Sequence, residues 1–198
     1  MAASTGDRDP HPRYGAGRDA LITATIKIVS TQGIRKLTYR AVAAAAGVTH
    51  GTVQHHFANL DQLLEAALEY CVDISLEGSM LASDSENIDD FVAELAESVR
   101  STLDAQVFQY ELVLESRRRP ELRPHVTRYY ERYAHATRSS LQRMGLPADD
   151  RSVEVIFSAI DGLVFRALTL GEDDLDQLES NLERLRGLLR ALRNSPAE

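Results

Sequence analysis

Cysteine is all but missing from this 198-residue chain: Cys71 stands alone, so no disulfide framework can staple the fold and its stability must come from packing. Long apolar runs are missing too. Asp, Glu or Arg interrupts every stretch of Leu, Val and Ala before the roughly 20 residues that a membrane-spanning helix needs, which excludes a helical membrane span. The first residues join no basic stretch to an apolar run with a small-residue cleavage site, and with the lone cysteine this leads to the expectation of a reducing cytoplasm. Ser, His and Asp occur, but without a nucleophile elbow, a phosphate-cradling loop or a metal-ligand spacing, so no enzyme and no cofactor is expected. Alternating apolar and polar runs, internal repeats and low-complexity blocks are absent as well, which points away from β structure.

What is present is enough apolar content, 43%, for a real core, together with an uneven charge. The net charge of -8 hides two modules. Residues 1 to 60 carry seven Lys or Arg against three Asp or Glu, while residues 61 to 198 carry fifteen against twenty-seven. A basic first third, with four His, suits contact with phosphates; the acidic remainder faces something else.

Residues 1–17 mix Gly, Pro, Asp, Arg and His without apolar periodicity and read as a mobile tail. From Arg18, the spacing of Leu21, Ala24, Ile28 and Val29 predicts a helix that Gly33 ends. Thr38 is a good N-cap for a short helix to Ala46, Gly47 can end it in a left-handed conformation, and Thr49 caps the next. Two short helices so close in sequence must cross sharply, as in a helix-turn-helix. Helices are then predicted over 59–80, 88–103, 104–119, 121–144, 148–170 and 172–193, with Pro124 in a first turn and Gly145 and Gly171 as breaks. The expected fold is therefore all-α, about nine helices in total: a helix-turn-helix domain over 18–64, then a larger helical domain over 65–198.

In the third helix Val53 and Phe57 fall one turn apart and face inward, leaving His50, Gly51, Thr52, Gln54 and His55 outward. Small and polar side chains at the start of such a helix let the backbone approach the major groove; Gln can pair with adenine and the Thr methyl can touch a thymine methyl.

On these residues the chain resembles the TetR family. Arg18, Leu21, Ile22, Gly33, Leu37 with Thr38, Val42 with Ala43, the run Gly47 to Phe57, and Leu63 with Leu64 fall where that family's pattern places them. The resemblance covers residues 18–64 and implies a transcription regulator, most simply a repressor that a small molecule releases from DNA. Position by position it implies DNA contacts from Thr38, Tyr39 and Arg40 in the second helix. In the third it implies contacts from Thr49, His50, Gly51, Thr52, Gln54 and His55, with His56 near phosphates. Two departures stand out: Gln54 occupies the place of a usual phosphate-contacting Tyr, and Leu60 that of a usual Lys. A cation lost at Leu60 implies a shallower salt dependence, unless Arg8, Arg13 and Arg18 compensate.

The rest of the chain is read from periodicity. Apolar walls with a few polar handles suit small organic ligands, and Phe91, Leu95, Tyr110, Leu114, Tyr129, Tyr133, Phe157, Asp161 and Phe165 are the candidate pocket residues. His125, Arg128, Arg132 and His135 form a polar stripe on the seventh helix that reads as solvated; the two His lack a ligand set for a metal. Cys71, between Leu68 and Val72, reads as buried and inert. The last two helices carry more apolar face than one bundle needs. The resemblance implies that they form a homodimer interface, for which Val155, Ile156, Ala159, Leu163, Leu178, Leu182, Leu185 and Leu189 are candidates, and that the dimer meets a palindromic double-stranded operator. A helical carrier or interaction module without specific DNA binding is the competing class.

Overall fold

The structure is a computed structural model that describes residues 16–79, 81 and 84–194. Among these residues there are nine α-helices and three short 3-10 turns and no strand. Most of the tail expected over 1–17 lies outside the described residues, but its last two do not: α1 (Ala16–Gln32) begins at Ala16.

Local chemistry sets the first boundaries. Gly33, with φ of 82°, takes a left-handed turn that ends α1. The Thr38 hydroxyl accepts from the amide of Ala41 at 3.1 Å and starts α2 (Tyr39–Ala45). Gly47, at φ 66°, turns the chain toward α3 (His50–His56), whose Thr49 cap accepts from the amide of Thr52. Asn59 accepts from the amide of Gln62 at 2.8 Å, and the Gln62 side chain accepts in return from the amide of Ala58, a reciprocal cap that opens α4 (Leu60–Gly78).

Helix α1 packs against both α4 and α6 (Leu103–Glu115), so the first module is not a separate bead. Its Leu21, Ile22, Ile28 and Val29 are buried, and Asp104 of α6 accepts from Lys27 and Ser30 at 2.8 Å each. Helix α4 buries Leu63, Leu64, Ala67, Leu68, Cys71, Val72 and Ser75 along its whole length, and the boundary expected after residue 64 falls inside it. Helix α7 (Arg123–Arg143) lies between α4 and α8 (Asp150–Leu170), and α9 (Glu172–Asn194) packs on α8 and α5 (Leu95–Ser101).

The helix expected over 88–103 does not form as one piece. A 3-10 turn covers Ile88–Asp90, Val92 takes a left-handed φ of 51°, and α5 starts only at Leu95. The cause is burial on too many sides. Ile88, Phe91 and Val92 are all buried, and the Phe91 carbonyl accepts from the buried guanidinium of Arg186, which draws it out of a helical ladder. Val92 is the one described non-glycine residue with positive φ, a cost of about 1–3 kcal/mol that the surrounding packing must hold in place.

Two expectations about side chains change. The stripe on α7 is not merely solvated: Arg132 reaches Asp73 at 2.6 Å, Arg128 reaches Glu65 and Glu69 at 3.3 Å, and His125 reaches Glu65 at 3.1 Å. Arg119 pairs with Asp61 in the same row. Of the apolar residues assigned to a dimer interface, Ile156, Leu178, Leu182 and Leu189 are buried within the protomer, where they join its core. Ala159, Leu163 and Leu185 are half-buried and Val155 is exposed.

Leu182 is fully buried, so Leu182→Ala should cost about 2–5 kcal/mol in urea unfolding through loss of packing and the cavity left behind. The loss should not depend on protein concentration, as it would if Leu182 met only a partner subunit.

Candidate functional site

Helices α2 and α3 pack against each other through Val42, Ala43, Val53 and Phe57, all buried. Their outer surface then carries Thr38, Arg40, Thr49, His50, Gly51, Gln54 and His55, all exposed. Tyr39 is half-buried; its hydroxyl donates to the Ala58 carbonyl at 3.3 Å and its ring meets that of His50 edge-on at 5.4 Å, which braces the crossing of the two helices. Thr52 is half-buried, its hydroxyl 2.9 Å from that of Thr49. His56 turns back: a Cβ added at Gly17 would lie 3.1 Å from its Nε2, so the imidazole sits against the first turn of α1. Arg18 spreads its guanidinium over the Phe57 ring at 5.4 Å. Leu60 packs partly into the core, which an extended lysine with a solvated head would not do as fully. The face thus presents two imidazoles, an amide, hydroxyls and an arginine around an exposed glycine, a set able to donate to and accept from base edges.

A second site lies on the far side of α4. Leu95, Tyr110, Tyr129, Tyr133, Phe157 and Asp161 converge on a cavity of about 40 Å³, with Ser75 and Gln106 among its polar lining. Tyr133 stacks on Phe157 with ring centroids 5.4 Å apart and planes at 19°, and Tyr129 meets Tyr133 edge-on at 5.0 Å. Tyr110 donates its hydroxyl proton to Asp161 Oδ1 at 2.8 Å, and Tyr133 donates to Gln109 Oε1 at 2.9 Å. The Gln106 and Gln109 amides donate to Ser75 Oγ, which donates to the Cys71 carbonyl. Burial raises the pKa of Asp161 above the ordinary carboxylate value, and the Tyr110 hydrogen bond opposes that rise. Burial also pushes the phenols of Tyr110, Tyr129 and Tyr133 up, so they stay neutral donors.

Leu114 and Phe165 lie elsewhere. They line an adjoining groove of about 210 Å³ that shares Tyr110 with the cavity, while Phe91 sits in the core away from both. Sequence reasoning passed over Ser75 and Gln106. Their signal was a polar residue continuing an apolar helical stripe, as Ser75 does four residues after Cys71. Cys71 itself is buried, and desolvation pushes its thiol far above the ordinary range, leaving no thiolate for redox chemistry. No group of three or more His, Cys, Asp or Glu that could hold a metal occurs among the described residues.

A two-helix reading head on a core shared with a helical, cavity-bearing domain defines a helix-turn-helix regulator. The family profile described as bacterial regulatory proteins of the tetR family matches residues 21–67, and one described as a tetracyclin repressor-like C-terminal domain matches residues 83–193. The chain belongs to the TetR family and is a DNA-binding transcription regulator. The HTH-type transcriptional regulator BetI of Serratia proteamaculans is 36% identical over 55 residues, which span 28% of this chain and 28% of that protein. A TetR-family regulator of Rhodococcus sp. superposes with a TM-score of 0.74 at 20% identity, over 91% of this chain and all of that one, a likeness of fold. The multidrug binding protein EbrR, in its complex with ethidium, gives a TM-score of 0.62 at 28% identity over 85% of this chain and 98% of that one.

Tyr133→Phe should lower stability by about 1–3 kcal/mol, because Gln109 Oε1 stays buried without its donor. Tyr130→Phe, at an exposed position, should change it by less than about 0.5 kcal/mol in the same urea titration.

Proposed function

We propose that this regulator is a homodimeric repressor that grips a palindromic operator with one α3 from each protomer and lets go when a small organic molecule enters the cavity between α4 and α8. The observation that carries the reading is that α4 starts at the reading head, beside α3, and ends in the cavity wall at Ser75. A ligand there acts on the helix that follows α3 in the chain and packs on α1, which in turn packs on α2 and α3. The cavity, at about 40 Å³, holds little more than water and lies well below the roughly 300–1,000 Å³ of occupied ligand pockets. Filling it therefore requires its walls to part, and a displacement of α4 is the effect that a regulator needs. A coupling of about 1–3 kcal/mol would weaken DNA binding several-fold to a hundred-fold or so.

For the dimer, the face left open by α8 and α9 holds Val155, Leu170, Leu188 and Leu192, each between 47% and 67% exposed. Gly162 and Gly187 lie on the same two helices with open space where a Cβ would stand, so a partner helix can come close. A two-fold pairing there would set the two α3 helices about one DNA turn, roughly 34 Å, apart.

The test is fluorescence-anisotropy binding to the DNA upstream of the protein's own gene. His55→Ala and Gln54→Ala should each lose about 1–3 kcal/mol of specific affinity, fivefold or more, while nonspecific binding holds. No specific DNA from that source or from random selection would leave the helical-carrier reading in its place. Val155→Asp with Leu188→Asp should give monomers in sedimentation, with helicity kept and operator affinity lost. Removing residues 1–15, and with them Arg8 and Arg13, should reduce the slope of log K against log salt by about 0.9 for each phosphate contact they make. An unchanged slope would exclude them from the phosphates.

A further inference from the structure

The cavity and the groove beside it share one electrostatic sign. The charged residues among their described lining are Asp161 and Glu111, both acidic, and no Lys, Arg or His lines either. Asp161 is half-buried, and its only hydrogen-bond donor among the described residues is the Tyr110 hydroxyl; it has no ion-pair partner there. A carboxylate held in an apolar wall without a cation is costly, and natural cores seldom keep one without a use. Tyr110, Tyr129, Tyr133 and Phe157 line the same cavity, with Tyr133 and Phe157 stacked on each other, and the faces of such rings are the negative ends of their quadrupoles. A carboxylate within an aromatic cage is the arrangement that desolvates and holds an organic cation.

We propose that the effector of this regulator is an apolar organic monocation, its charge held by Asp161 and the surrounding rings, and that the Tyr110–Asp161 hydrogen bond is the latch it displaces. The inference rests on the effector-released reading above and names the ligand class. Tyr110 separates the inner cavity from the outer groove and leans edge-on against Phe165 at 5.1 Å, and Phe165 is 42% exposed. When the cation takes the Asp161 oxygen, Tyr110 loses its hydrogen bond and swings outward with Phe165. The two spaces of about 40 and 210 Å³ then join into a volume that suits a ligand of several rings or branches.

Two flat fluorescent probes of opposite charge, ethidium and 1-anilinonaphthalene-8-sulfonate, test this by titration into the intact protein without DNA. Wild type should bind ethidium and prefer it to the sulfonate. Asp161→Asn, which keeps shape and the acceptor for Tyr110, should weaken ethidium at least tenfold, leave the sulfonate unchanged or tighter, and melt no lower than wild type. Tyr110→Phe removes the latch and should tighten ethidium about threefold or more. Ethidium binding that ignores Asp161→Asn, a preference for the sulfonate, or no binding of either probe would overturn the proposal. Operator binding of the same proteins without probe is the separate readout: its presence alongside any of those results removes only the cation, and its absence removes the regulator reading itself.

Discussion

Helix α4 has to be buried on one side by two different partners, and the rest of the architecture follows from that demand. Its early Leu63 and Leu64 close the core under α1 and the reading head, while its late Cys71, Val72 and Ser75 close the core under α6 and α7. Eight buried side chains on α4, at about 1.5–3 kcal/mol for each of the larger apolar ones, make this seam a large contribution to holding the modules together. The ion pairs beside it contribute differently. Asp61, Glu65, Glu69 and Asp73 recur every four residues and meet Arg119, Arg128 and Arg132, with His125 lying beside Glu65. Most of these groups are a third or more exposed, so each pair adds little stability, about 0–1 kcal/mol. Because the carboxylates repeat about once per turn, the row aligns α7 along α4 without choosing between registers one turn apart, and the register is left to the buried side chains.

Much of this was legible in the sequence where the cause is local. Thr38, Thr49 and Asn59 each cap the helix that follows them, Gly33 ends α1 and Gly47 takes the left-handed turn expected of it, and Val53 and Phe57 face inward, because caps and turns depend on a few neighbouring residues. The segment 88–103 was not legible, because the burial of Ile88, Phe91 and Val92 and the bond from Arg186 to the Phe91 carbonyl involve elements far away, Arg186 some 95 residues on in sequence. A helical period can be read along a chain; a carbonyl taken by a distant guanidinium cannot.

The same limit governs the interface and the polar stripe. Leu178, Leu182 and Leu189 share the apolar character of Leu188 and Leu192, yet the first three fill the protomer and the last two face out. Apolarity states that a side chain will be covered, not by which chain, and only the packing of α9 on α8 divides them. His125, Arg128 and Arg132 likewise carry no mark of the acidic row on α4 that lies opposite, because α4 and α7 are joined by no local contact in sequence.

The cavity was legible in part for a reason that bears on how it works. Tyr and Asp on an apolar helical face violate the packing pattern, and Tyr110, Tyr133 and Asp161 stand out in sequence on that account. In the fold each violation is answered by another, Tyr110 to Asp161 and Tyr133 to Gln109, except that the Asp161 charge itself finds no cation among the described residues. A closed network of neutral donors and acceptors would rigidify the domain and leave nothing for a ligand to gain. One half-buried charge left with a neutral partner does the opposite. It keeps the empty state less stable than it could be and gives a binder of the right charge an interaction that water and Tyr110 supply only weakly. Because the void around it is too small to admit that binder while Tyr110 stays bonded to Asp161, recognition and opening are coupled through the same residue.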